Sequence, residues 1–170
     1  MSKAKPTPSV EIINSIFSYD ETTGELRWKK VPKERVVRAK VGEIAGAIMV
    51  NGYRMVCINY QKYLAHRLIW KMKTGTDAPF SIDHIDGDRL NNRFSNLRAA
   101  TQSQNGMNSK MRKNNTSGVK GVYWGWNRWQ AQISIARRCI PLGGFEKIED
   151  AARAVEAARK KYHAEFGRAA

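Results

Sequence analysis

The sequence is poor in cysteine: Cys57 and Cys139 stand far apart, and neither has a second cysteine at chelating spacing. That excludes a thiolate zinc cluster and a disulfide framework, and it fits a reducing, cytoplasmic setting. Long apolar runs are also missing; none approaches the roughly 20 residues that a membrane-spanning helix needs. The opening segment, Met1 to Pro6, has lysines but no apolar stretch behind them, so no secretory leader and no membrane partner are expected. Acidic residues are scarce. There are 15 of them against 30 Lys and Arg in 170 residues, a formal net charge of +15. A chain this basic meets a polyanion, with nucleic acid the default.

The charge is not spread evenly. Residues 1–108 carry 17 basic and 10 acidic residues, while residues 109–147 carry 8 and 1 in far fewer positions. The density peaks late in the chain, which a merely solubilising surface does not require. An Asn/Ser/Lys-rich stretch over 109–117 reads as a linker. It divides a first domain at 1–108 from a second at 118–170.

In the first domain, Ser9 is placed to cap a helix from Val10 to Phe17, with Ile12, Ile13, Ile16 and Phe17 on its apolar face. Tyr19 to Trp28 reads as a hairpin around Thr23-Gly24. Residues 29–43 form a basic loop. Asn51-Gly52 between two apolar runs predicts a second hairpin with a type I′ turn. The spacing of Leu64, Leu68, Ile69 and Met72 predicts a helix over 63–73. The second domain reads as three short strands, 119–124, 128–136 and 139–142, and a helix from Ile148 to Phe166. Its alanine-rich face, with Ala151 and Val155, is suited to packing closely on a sheet. The fold class is α+β, ending in a small three-stranded antiparallel sheet on one long helix.

The chemistry concentrates between Ser81 and Asn105. Ile82 and Ile85 bracket Asp83-His84 as on a short strand, Asp86-Gly87-Asp88 reads as a turn, and Thr101 is placed to cap a helix starting at Gln102. Asp83, His84 and Asn105 thereby fall on a hairpin-like segment and the helix after it, elements able to fold onto each other. A carboxylate and an asparagine carbonyl suit a hard divalent cation, Mg2+ or Mn2+. A neutral histidine beside them is able to take a proton from water. Those are the parts phosphodiester cleavage needs.

The stretch Asp83-His84-x-Asp86-Gly87-Asp88-x-x-Asn91-Asn92-x-x-x-Asn96-Leu97-Arg98-x-x-Thr101-x-x-x-Asn105 resembles the HNH nuclease motif, the ββα-metal fold. The resemblance implies Asp83 and Asn105 as metal ligands, His84 as general base and Asn96 as a brace for the loop. Asn105 stands at the third motif position in place of His; many members of the family resembled carry Asn there, so it reads as a variant of the motif and not a loss. Arg98 and Asn92 fall where either a phosphate contact or a brace for the turn is consistent with the motif. His66, in a His-Arg-Leu element similar to that of phage-type HNH proteins, is expected to support the site. His163 is expected at a packing or surface position.

Gly121-Val122, Trp126, Trp129-x-Ala131-x-Ile133, Leu142-Gly143-x-Phe145, Ala151-Ala152 and Lys161-Tyr162-His163 together resemble the plant ethylene-response-factor (apetala-type) DNA-binding domain. The likeness departs at Tyr123, Trp124 and Pro141, so no target sequence carries over. It implies DNA contact by Tyr123, Trp126, Arg128, Arg137 and Arg138, with one or two of Trp124, Trp126 and Trp129 in the core. Nuclease and module together, with Tyr19-Asp20-x-x-Thr23-Gly24-x-Leu26-x-Trp28, resemble phage-encoded homing or mobile endonucleases.

The expected activity is metal-dependent nicking of double-stranded DNA by a monomer or weak homodimer, with the second domain choosing the site. The competing expectation, from another class, is a DNA-binding regulator that uses the nuclease fold only as a scaffold.

Overall fold

Ser9 does cap the first helix: its hydroxyl accepts from the Ile12 amide at the start of α1 (Val10–Ile16). The helix ends one residue early because Phe17 opens a strand. In the computed structural model, which describes residues 6–31, 39–108, 111, 114–135 and 138–162, the chain divides into two compact units, Met1–Ala99 and Ala100–Ala170. That division lies ahead of the boundary expected after residue 108. Arg137, His163, part of the basic loop and part of the expected linker fall outside the described residues.

The first unit begins with a hairpin of β1 (Phe17–Asp20) and β2 (Glu25–Trp28), paired Phe17 to Trp28 through Asp20 to Glu25. Asp20 Oδ1 accepts from the Thr22 amide and hydroxyl, and Gly24 takes φ +78°. Phe17, Leu26 and Trp28 are buried with Ile13, Val56, Ile58, Leu68 and Ile69 in one core.

A three-stranded antiparallel sheet follows, from β3 (Ala47–Ile48), β4 (Arg54–Ile58) and β5 (Gln61–Leu64). Two expectations are corrected here. The Asn51-Gly52 turn is not type I′, because only Gly52 has a positive φ (+83°). The Gly52 amide bonds Met49 O and the Met49 amide bonds Tyr53 O, which is a three-residue loop closed by a left-handed glycine. The turn with both central residues at positive φ is the next one, Asn59 (+48°) and Tyr60 (+59°). That turn makes residues 61–64 a strand, so the expected helix starts two residues late, as α2 (Ala65–Thr74). It ends at Gly75 in the left-handed conformation.

β6 (Ser81–His84) then pairs with β7 (Leu97–Ala100), a short 3-10 turn at Phe94–Asn96 lying between them.

The second unit opens with α3 (Gln102–Met107). Thr101 accepts from the Gln104 amide while the Gln104 side chain accepts from the Thr101 amide, a complete capping box. The antiparallel strands β8 (Val122–Gly125), β9 (Arg128–Ile135) and β10 (Arg138–Phe145) form a sheet in the order β10-β9-β8. Trp126 (φ +50°) and Asn127 (+57°) make a tight β8–β9 turn. β10 runs on through Gly143-Gly144, with a register shift between Pro141 and Gly143. α4 (Ile148–Tyr162) lays Ala151 and Val155 against Val122 and Ala131, with Trp129, Leu142 and Phe145 around them. The architecture is α+β. Among the described residues no helix is long and apolar enough to cross a membrane.

Candidate active site

The loop from Ile85 to Asn96 is built from side chains that satisfy its own backbone. Asp86 Oδ1 accepts from the Asp88 amide at 2.8 Å and Asp88 Oδ1 from the Leu90 amide at 3.0 Å, the Asx turns that this composition favours. Asn96 reaches back across the loop. Its Nδ2 donates to Asp86 Oδ1 (2.9 Å) and Asn91 O (2.8 Å), and its Oδ1 accepts from the Asp86 amide (3.1 Å). Burial alone would raise the Asp86 carboxyl, but the donors from Asn96, Asn91 and the Asp88 amide bring it below the ordinary carboxylate value. Asp86 and Asp88 are thus spent on the turn.

This fixed loop presents His84 at the end of β6. The ring is 3% exposed, and its Nε2 lies 2.9 Å from Asn92 Oδ1. An amide oxygen accepts only, so Nε2–H is the donor in this contact. His66 meets the His84 ring edge-on with centroids 5.1 Å apart, and Tyr53 stacks obliquely on both. Burial, then the His84 and Arg67 charges, push His66 down to about 3, so it stays neutral at any physiological pH.

Asp83 precedes His84 and therefore points to the opposite face of the strand. It is 4% exposed and ion-paired to Arg98 on β7, whose Nε and Nη2 both donate to Oδ2, at 3.0 and 2.8 Å. A buried carboxylate needs such a partner to remain charged. Arg98, for which a phosphate contact and a brace were both consistent with the motif, makes an ion pair with Asp83 inside the unit. Asn92 is the amide that orients His84. Asn105 lies on α3 in the second unit, whereas Asp83 and His84 lie on β6 in the first. Among the described residues no group of three or more His, Cys, Asp or Glu side chains forms a metal cluster. One carboxylate and one amide oxygen are nonetheless a hard-donor pair that suits Mg2+ or Mn2+ chemically.

Some supporting residues were not singled out by sequence. Tyr19 donates to Asn92 O (3.2 Å) and accepts from the Phe94 amide (2.8 Å), and Arg93 Nε donates to Thr22 O. Gly24 approaches the loop so closely that a Cβ there would sit 2.4 Å from Arg93 N and 2.7 Å from Asn92 C. The Tyr-Asp-x-x-Thr-Gly segment is therefore a buttress for the loop that carries Asn92. The segment's glycine and tyrosine were visible signals, but their partners lie some seventy residues away.

In the second unit, Tyr123, Trp126, Arg128 and Arg138 are all exposed, Trp126 at 86%. Trp129 is half-buried against the core and stacks edge-on with exposed Trp124 at 5.0 Å. A cavity of about 700 Å³ lies between α3 and the sheet, bordered by Met107, Lys120, Tyr123, Gln132 and Arg159.

Residues 63–107 match the family model described as HNH endonuclease. Among curated proteins, the chain is 31% identical over 112 residues to Protein 3.8 of Escherichia phage T7, an alignment covering 64% of this chain and 92% of that protein. No solved structure matches the chain.

Proposed function

The chain belongs to the HNH endonuclease family, nucleases that act on DNA, and from that premise we propose a metal-dependent endonuclease that hydrolyses phosphodiester bonds in double-stranded DNA. The observation that carries the reading is His84, buried at the end of β6 with Nε2 held 2.9 Å from Asn92 Oδ1. Placed against the scissile phosphate, Nδ1 accepts a proton as a water oxygen bonds to phosphorus and the bond to the leaving oxygen breaks. General-base help of this kind contributes about 10²–10⁴-fold. Neutral His66 packs the ring in place without adding a competing charge. Arg98 holds Asp83 in place through a two-donor ion pair, and Asn96 braces the loop after β6.

Asp83 and Asn105 are the residues that would hold the cation, Mg2+ or Mn2+. When bound, it neutralises charge on the leaving oxygen. One such site per chain cuts one strand, so nicking by a monomer or weak homodimer is the expected product pattern.

The sheet and helix of the second unit form the address-reading module in this account, in the manner of the ethylene-response-factor domain and of mobile phage nucleases. Exposed Tyr123, Trp126, Arg128 and Arg138 on a strongly basic segment support it, and a strand pair of this size fits a major groove. The same surface favours the second reading, a regulator that binds without cutting.

Supercoiled plasmid or phage DNA incubated with the protein and Mg2+, with EDTA as the control, separates the two. Open-circular product that EDTA abolishes supports the nuclease. Sequence-preferring binding with no product under any divalent ion supports the regulator and overturns the nuclease reading.

A further inference from the structure

Arg67 lies in the first turn of α2, between buried His66 and buried Leu68. Its Nη1 donates to Phe80 O at 3.5 Å, a long bond. Its Nε is shielded from solvent and, among the described residues, meets no acceptor. Buried donors are nearly always satisfied, because leaving one unpaired forfeits its hydration for nothing in return. An oxygen supplied from outside the chain would remove that cost.

The surroundings narrow the class of oxygen. His66 next to it stays uncharged, so the permanent cation at this end of α2 is Arg67. Arg98, the arginine nearest Asp83, is already committed to that carboxylate. A guanidinium is matched best by the paired oxygens of a phosphate or carboxylate. With a net charge of +15, the chain favours a polyanion over an isolated acid.

We propose that Arg67 is a substrate-positioning residue whose buried Nε–H receives a DNA backbone phosphate flanking the one that faces His84. The assignment rests on the nuclease reading for the identity of the duplex. It gives the His-Arg-Leu element two duties: the histidine packs the catalytic ring, and the arginine fixes the strand that the ring acts on. Arg67 then contributes to the register of the backbone and carries no base preference.

The test uses the full chain and a fluorescein-labelled duplex in EDTA, with anisotropy titrations across a range of salt concentrations. Loss of one phosphate contact reduces the slope of log K against log salt by about 0.9. Arg67→Gln is expected to show that reduction and several-fold weaker binding, while Ser15→Ala at an exposed, uncharged position of α1 keeps the wild-type slope. Should Arg67→Gln fail to fold by thermal melting, Arg67→Lys takes its place. It keeps the charge, so it should keep the slope yet bind several-fold more weakly for want of the Nε donor. A folded Arg67→Gln with unchanged slope, or Arg67→Lys with unchanged affinity, overturns the proposal. A reduced slope in a protein that never cuts would sink the nuclease reading and leave this contact standing. Cleavage with an unchanged slope would do the reverse.

Discussion

Lowering the pH from 7 to 5 is expected to destabilise the first unit through His66 by about 2 kcal/mol. The folded chain holds this imidazole neutral, with its protonation pushed down to about 3 by burial and then by the His84 and Arg67 charges. An unfolded histidine takes up its proton near 6.5. Between those values the unfolded state binds one more proton than the folded one, so stability falls as pH drops. The slope is about 1.4 kcal/mol per pH unit once the unfolded histidine is fully protonated. Asp86, Asp77 and Asp20, all held below the ordinary carboxylate value, lose their contribution only near and below pH 4, outside this window. Urea unfolding at pH 7, 6 and 5, read by tryptophan fluorescence, compares wild type with His66→Gln. The wild type should lose stability steadily, and the variant should be less stable at pH 7 but flatter. Equal pH slopes in the two proteins would refute the buried, neutral His66 on which the packing of the catalytic ring depends.

Other perturbations address the remaining parts of the site. Arg98→Ala removes the cation that pairs with buried Asp83 and should cost about 3–5 kcal/mol in urea unfolding. Asn92→Ala removes the acceptor for His84 Nε2; the variant should lose about 1–3 kcal/mol of stability, and its nicking rate should fall while salt-dependent DNA affinity holds. Gly24→Ala combines an unfavourable φ with a clash against the Asn92–Arg93 backbone, so it should lose more than about 1 kcal/mol and lower the melting temperature.

What was legible in the sequence was local. The Thr101 cap, the Ser9 cap and the Asp86-Gly87-Asp88 turn are each written within a few residues. The short apolar runs around Asp83-His84 likewise marked β6. Two turns with aromatic residues at positive φ were less readable. Asn59 tolerates a positive φ, but Tyr60 lacks the freedom of the glycine that such a turn prefers, so β5 was absorbed into the following helix. The decisive pairings were not legible either. Asn92 with His84 spans eight residues, Arg98 with Asp83 fifteen, and Tyr19 with the Phe94 amide seventy-five. Each depends on β6 and β7 pairing first, or on the N-terminal hairpin docking on the loop. Arg98 illustrates the consequence: the motif leaves it either a phosphate contact or a brace, and its ion pair with the buried Asp83 becomes visible only once β6 and β7 are paired. The exposed Trp126 and half-buried Trp129 are a gentler case, since strand alternation limited how many tryptophans the core would take without saying which.

The most direct measurement is the rate of conversion of supercoiled to open-circular DNA in Mg2+ by wild type, His84→Ala and the surface variant Ser15→Ala, all verified as folded. Wild type and Ser15→Ala should nick at matching rates, with at least a 10²-fold loss in His84→Ala. Equal nicking by His84→Ala and wild type would contradict it.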